Sequence, residues 1–381
     1  VARHYLDHAS TSPLRPSVVA AMREWLEAGP VADPGRIHSE GRLVRDALER
    51  ARDEIAALVH ARPRQVVLTS GGTEAVNAAA WGAARAVPGG AFVLADVEHS
   101  AVRESSARLG PLRRVPVDGV GRIDADAVAA ALDEQDGAGA PVALVHCQLA
   151  NHEVGTLQPV QEVVGHCRER GVPVHVDACA AAGHVALDVE ELGADLVSIS
   201  AHKFGGPAGA GALVVRRGLR IEPLLVGGEQ ERARRAGLEN VLAALGMAAA
   251  ASELAGDGRL AAEARANRAQ TERLLSVGDA VADVDALGDR DGRLPHVVCL
   301  AVQGVEAEAV LLGLDQAGIA AHSGSACSSE SLAPSPVLAA MGADADRSLR
   351  LSVGWSTTDA DVEAFAAAFA TVVGRLRGLR G

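Results

Sequence analysis

Lys203 is the only lysine in a chain of 381 residues whose Lys and Arg together number 36. A guanidinium keeps its proton in proteins, whereas an ε-amine can lose it and form a Schiff base with a carbonyl. Arginine bias has a bland compositional origin, and a surface lysine in a turn is the plain alternative. A lysine retained against that bias nevertheless points to chemistry that arginine cannot do. It closes the run Ser200-Ala201-His202-Lys203, where a neighbouring Ser and His supply groups for gripping an anion.

Asp177 follows the apolar run Val172–Val176. A carboxylate there can sit beneath a pyridine nitrogen and keep it protonated, which makes the ring an electron sink. Beside a Schiff-base lysine, that is the requirement of pyridoxal phosphate chemistry. An ordinary turn or helix-capping Asp is the alternative. Ser70-Gly71-Gly72-Thr73-Glu74 offers glycines that let a phosphate approach the backbone and free N–H groups at a helix start. It matches neither the Walker A pattern nor GxGxxG, and a simple tight turn is the competing reading. His99 follows another apolar run and could stack on a ring or shuttle protons. Arg350, in Ser-Leu-Arg-Leu-Ser, could hold a carboxylate through two parallel hydrogen bonds, or could be a surface strand residue. Cys327 lies among Ser, Gly, Ala and Glu, which predicts a solvent-reachable loop. Its thiol needs a nearby base or cation to become a strong nucleophile.

These residues need elements to position them. Gln65–Ser70, Ala91–Ala95, Val142–His146, Val172–Val176, Leu196–Ser200 and Gly211–Val215 read as buried strands, with a helix from Gly72 through Arg85. Such an α/β sheet binds its ligand at the carboxyl ends of its strands. Ser70–Thr73, Asp177 and Ser200–Lys203 all fall there. Residues 253–290 read as helical, Val297–Val302 as a strand, and Pro336–Met341 and Val362–Leu376 as helices, with a domain boundary near 253.

Composition narrows the function classes. Aromatic residues are only 2% and the net charge is −13. Base-stacking surfaces and direct nucleic-acid binding are therefore not expected, although Arg232, Arg234 and Arg235 could grip one small anion. Five scattered cysteines without a CxxC pair argue against a disulfide framework or a metal site. No signal peptide and no membrane-spanning run is visible, so the reading is cytoplasmic.

Together the motifs resemble the cysteine desulfurases of the NifS/IscS type, in the class V aminotransferase group of fold-type I pyridoxal-phosphate enzymes. The resemblance runs through Tyr5–Pro13, Thr69–Glu74, Glu98-His99, Asn151–Gly155, Asp177-Ala178, Ser200–Lys203, Gly205–Pro207, Ser323–Cys327 and Arg350. It implies an α/β fold with a mainly parallel seven-stranded sheet in a large cofactor-binding domain, residues 14–252. A smaller α/β domain would comprise 1–13 with 253–381 and carry the cysteine loop. It further implies that Lys203 binds the cofactor and moves the substrate α-proton, and that Asp177 pairs with the pyridine nitrogen. Thr73, Ser200, His202 and the Gly72 backbone would hold phosphate. His99 would stack on the ring and assist proton transfer. Arg350 would bind the carboxylate of L-cysteine. Cys327 would take its sulfur as a persulfide, releasing alanine. A homodimer and a sulfur-acceptor protein are the implied partners.

Four positions depart from that family. His152 stands in place of its Asn, Ala180 of its Gln, Leu238 of its Thr, and Asp33 of an Asn. His152 can still donate to the cofactor's phenolic oxygen, and Ala180 cannot. Each lost neutral hydrogen bond is worth about 0.5–1.5 kcal/mol, so weaker cofactor retention is expected. A C–S lyase that forms no persulfide and a non-catalytic sulfur-relay protein are the competing readings. Iron–sulfur assembly, thiolation and DNA phosphorothioation remain open as destinations of the sulfur.

Overall fold

The structure is a computed structural model that describes residues 3–138, 141–323 and 335–379. The strands among the described residues, in chain order, are β1 (His4–Tyr5), β2 (Val66–Thr69), β3 (Ala91–Ala95), β4 (Leu112–Val115), β5 (Val142–Gln148), β6 (Val174–Asp177), β7 (Leu196–Ser200), β8 (Gly211–Val215), β9 (Val284–Leu287), β10 (Val297–Val302), β11 (Ile319–Ala320) and β12 (Ser348–Ser352). Seven of them form one sheet in the order β2-β8-β7-β6-β5-β3-β4. Pairings from β4 to β7 are parallel, and β8 runs antiparallel to both its neighbours. Hence β2 points the same way as β5, β6 and β7, and their carboxyl ends share one edge.

The central strands are continuous apolar runs because both sheet faces are covered. On one face Val93, Val145, Val176 and Ile199 pack with Leu48, Ile55, Val163, Met247 and Leu254 from helices Ser39–Leu58, Val160–Glu169 and Val241–Ala255. On the other, Phe92, Leu94, Leu144 and Leu213 meet Ala75, Val76, Ala79, Ala80 and Ala83 of helix Gly72–Ala86. Small alanines let that helix lie close to the sheet in a chain with few aromatic residues to fill gaps. A separate core gathers Leu6, Leu274, Val298, Leu300, Leu351, Phe365 and Phe369 around the antiparallel sheet β9-β10-β12. Helices Arg259–Asp279 and Asp359–Gly378 cover it.

Several expected boundaries shift for physical reasons. The fourth predicted strand, read as Val172–Val176, starts at Val174, because Pro173 has no N–H to give the ladder. The helical reading of 253–290 is corrected: one helix ends at Ala255, the next spans Arg259–Asp279, and Val284–Leu287 is a strand. Of β9 only Val284 is buried, so no alternating apolar pattern announced it. The same holds for β4, whose sequence is LRRV.

Candidate active site

The carboxyl ends of the strands open into a cavity of about 250 Å³, whose walls include Gly72, Thr73, His99, His152, Asp177, Ser200, His202, Lys203 and Arg350. These nine expected site residues thus share one cavity wall, while Cys327 lies outside the described residues. Cys299, by contrast, is buried among apolar neighbours on β10.

Gly72 begins helix Gly72–Ala86 directly after β2. A Cβ at Gly72 would stand 2.5 Å from Cys179 Sγ and 3.4 Å from Ser200 Cβ. Glycine is therefore required by close approach, and the helix it opens begins at the cavity wall, where first-turn N–H groups have no intrahelical partners. Thr73 and Ser200 bring hydroxyls to the same end. His202 is held neutral, its pKa lowered to about 4 by burial and then by the adjacent Lys203 charge. A neutral ring has one N–H to donate.

Asp177 ends β6 in nearly full burial. Its Oδ1 accepts from the Cys179 N–H at 3.0 Å and from Ser198 Oγ at 3.1 Å. Burial alone would raise its pKa; His175, the Cys179 N–H and His99 oppose this and bring the carboxyl below its ordinary value. Because burial keeps His175 itself neutral at pH 7, with a pKa of about 4, the donated hydrogen bonds carry the effect there. Asp177 is thus an ionised acceptor at the cavity wall.

Lys203 Nζ donates to the carbonyls of Ala9 at 2.6 Å and Ser10 at 3.1 Å, which ties the N-terminal segment to the cavity floor. Behind it His184 Nε2 donates to the Lys203 carbonyl at 3.0 Å, and its ring stacks on His296 with centroids 3.5 Å apart. His99 caps helix Ser100–Leu109, its Nδ1 accepting from the Ala101 N–H at 3.1 Å. That leaves the ring proton on Nε2. The His152 ring meets it edge-on at 5.1 Å.

Arg350, on β12, is 1% exposed. Its guanidinium donates to the His152 carbonyl (3.1 Å), Asp7 Oδ1 (3.1 Å) and Ser10 Oγ (2.6 Å), while its Nε is buried with no partner among the described residues. A buried cation with one carboxylate partner and spare donors is built to receive a second carboxylate. The backbone of Arg350 bridges to His322, one residue before Ser323, where the expected cysteine loop begins.

The sequence did not single out Glu98, Cys179, Gln148 or the carbonyls of Ala9 and Ser10 as site groups. Glu98 is 1% exposed and accepts from the Gln148 N–H at 2.6 Å, its other oxygen buried without a partner among the described residues. Burial, then the Asp177 charge, pushes its pKa up to about 8. Its place beside His99 in the chain was the one available signal. The arginine cluster that could have gripped one small anion is otherwise engaged. Arg232 pairs with Glu49, Arg235 with Glu74, and Arg234 donates to the Arg64 carbonyl. Ala180 lines the cavity, whereas Leu238 is 63% exposed and lies on a different depression.

The family model described as Aminotransferase class-V matches residues 4–365. The Cysteine desulfurase IscS of Dictyoglomus turgidum is 40% identical over 370 residues, spanning 94% of this chain and 91% of that protein. An IscS-like cysteine desulfurase of Mycobacterium tuberculosis is 38% identical over 387 residues, spanning 98% and 97%. A solved structure of a NifS-like protein has a TM-score of 0.89 at 28% identity, covering 98% of this chain and 100% of that one.

Proposed function

The chain belongs to the aminotransferase class-V family, and from that premise we propose that it is a pyridoxal-phosphate-dependent cysteine desulfurase, converting L-cysteine to L-alanine and passing the sulfur to Cys327. The observation that carries the reading is the meeting, in one cavity, of the sole lysine, a buried ionised Asp177, a Cβ-free cradle at a helix N-terminus and the buried Arg350.

The residues present fit pyridoxal phosphate. The Gly72 and Thr73 N–H groups, with Thr73, Ser200 and His202, suit a phosphate. Asp177 suits a pyridinium N–H, His99 and His152 flank the place of a ring, and Lys203 offers the amine. The bound cofactor supplies an electron sink for the bonds at the substrate α-carbon. Arg350 orients the substrate by its carboxylate. Lys203 Nζ removes the α-proton and returns a proton, with His99 Nε2 as the second proton-bearing group on the cavity wall. The Cys327 thiolate forms the new S–S bond as the substrate C–S bond breaks. L-cysteine and the Cys327 thiol thus become L-alanine and a persulfide, with no external oxidant. Cys327 is four residues beyond Ser323, a span of at most about 14 Å of extended chain, and Ser323 adjoins the His322–Arg350 bridge. An acceptor protein then takes the sulfur.

We further propose a homodimer. Val31, Ile37, Val226 and Leu238 are 101%, 87%, 77% and 63% exposed. They lie on two segments that flank one depression, lined by Asp33, Pro34, Glu229 and Gln230 among others. Exposed apolar side chains concentrated this way mark an interaction surface.

Alanine and sulfide release from L-cysteine, with pyridoxal phosphate and a reductant, tests the function. We expect the intact chain to be active and Lys203→Ala and Cys327→Ser to be inactive. Full activity in Cys327→Ser would replace the persulfide route with a C–S lyase.

A further inference from the structure

Behind Asp177 runs a line of buried polar side chains that the reaction itself does not use. Ser106 Oγ lies 3.2 Å from His146 Nε2, His146 Nδ1 is 2.9 Å from His175 Nδ1, and His175 Nε2 is 3.1 Å from Ser198 Oγ. Ser198 Oγ then donates to Asp177 Oδ1 at 3.1 Å. Ser106, His146, His175 and Ser198 are each 0% exposed. They come from helix Ser100–Leu109 and from the adjacent strands β5, β6 and β7. His146 and His175 are cross-strand partners, and Phe92 stacks on the outer ring at 5.9 Å.

Two rings facing each other through Nδ1 cannot both be protonated there, nor both bare. Burial, then the neighbouring His175, holds His146 well below its ordinary pKa, and burial lowers His175 to about 4, so both rings are neutral near pH 7 with one proton each. An ionised carboxylate only accepts. Ser198 must therefore direct its proton to Asp177 and accept from His175 Nε2–H. His175 Nδ1 is then a lone pair, filled by His146 Nδ1–H, and His146 Nε2 accepts from Ser106. One proton order satisfies the whole line: Ser106 to His146 to His175 to Ser198 to Asp177. Ser198 also receives the Cys179 S–H, at 3.8 Å, which completes its two acceptor positions and one donor.

We propose that His146 and His175 are positioning residues for Asp177, a one-way donor line that fixes the Ser198 hydroxyl on Oδ1 and so leaves Oδ2 as the oxygen offered to a cationic N–H in the cavity. The inference rests on the functional reading for its consequence, the tuning of the bound ring nitrogen, and not for the line itself. The other titratable groups acting on Asp177 are His99, Cys179 and Glu98. All are unchanged in the variants below.

The direct test is nitrogen NMR of the cofactor-free chain, with the two rings assigned from His146→Gln and His175→Gln. The expected pattern is Nδ1–H on His146 and Nε2–H on His175, with neither ring titrating between pH 5.5 and 8.5, a window that contains the ordinary histidine pKa of about 6.5 and that burial moves both rings below. The reverse tautomers, or a ring that titrates in that range, would overturn the proposal whatever the enzyme's activity. The second test loads pyridoxal phosphate and follows its visible spectrum against pH. His175→Gln retains an N–H for Ser198 and an oxygen for His146, and should keep the wild-type profile. His175→Leu removes both and should shift the spectral transition by about one pH unit and weaken cofactor retention about ten- to a hundredfold. A His175→Leu spectrum and retention equal to wild type would also overturn it. Should the wild-type chain take up no cofactor, the functional reading falls, and the tautomer pattern still decides the line.

Discussion

Burial sets the charge state of Glu98 near neutral pH. Its folded pKa of about 8 stands above the ordinary 4.5, so the native state binds its proton more tightly than the unfolded chain does. Such a group contributes stability in full below the unfolded value and loses it as pH rises through the folded one. Within that window wild-type stability should decline by roughly 1 kcal/mol per pH unit on this account. Glu98→Gln, neutral throughout, lacks that loss. Urea unfolding at several pH values should show the variant gaining on wild type from about pH 5 to 8; a constant difference would mean that Glu98 is already ionised in the fold. The same residue marks a limit of sequence reading. Lys203 was legible from the census, and Asp177, His99 and Arg350 from their types and their places beside apolar runs. Glu98 and the His146–His175 pair were not, because their significance lies in burial and cross-strand registry, neither of which a single residue type reveals.

At the scale of elements, the junction of β2 with helix Gly72–Ala86 builds the anion cradle, and its tolerance is measured by one missing methyl. Gly72→Ala would drive a Cβ against Cys179 Sγ at 2.5 Å, an overpacking worth about 1–3 kcal/mol. Cofactor titration should show retention weakened about tenfold or more. Adding Cys179→Ala removes the clashing sulfur, leaving the Cys179 Cβ at 3.6 Å, and should restore binding; a double variant as weak as the single one would place the constraint elsewhere. The glycine pair after an apolar run announced this turn, and the continuous runs of β3, β7, β8 and β10 announced those strands. Elements with little to bury escaped notice. β4 carries Arg at two of its four positions and β9 an Asp at one of four, and each buries a single residue, while β1 and β11 are two residues each. They form because the packing of larger neighbours completes them, which is information held by the whole fold.

The whole molecule is acidic, with a net charge of −13, which disfavours direct contact between its bulk surface and a phosphate backbone. No helix among the described residues is long and apolar enough to cross a membrane. The exposed apolar side chains at Val31, Ile37, Val226 and Leu238 are the surface we assign to self-association. Val226→Glu with Leu238→Glu should convert a dimer to a monomer in sedimentation analysis without loss of secondary structure; an unchanged sedimentation coefficient would move the interface to another face. The central claim is that sulfur leaves L-cysteine for Cys327, and mass spectrometry of the Cys327 peptide tests it most directly. After incubation of the cofactor-loaded chain with L-cysteine, followed by alkylation, we predict that this peptide carries one additional sulfur atom and that Lys203→Ala lacks it. An unmodified Cys327 in chain that has released alanine would contradict the account.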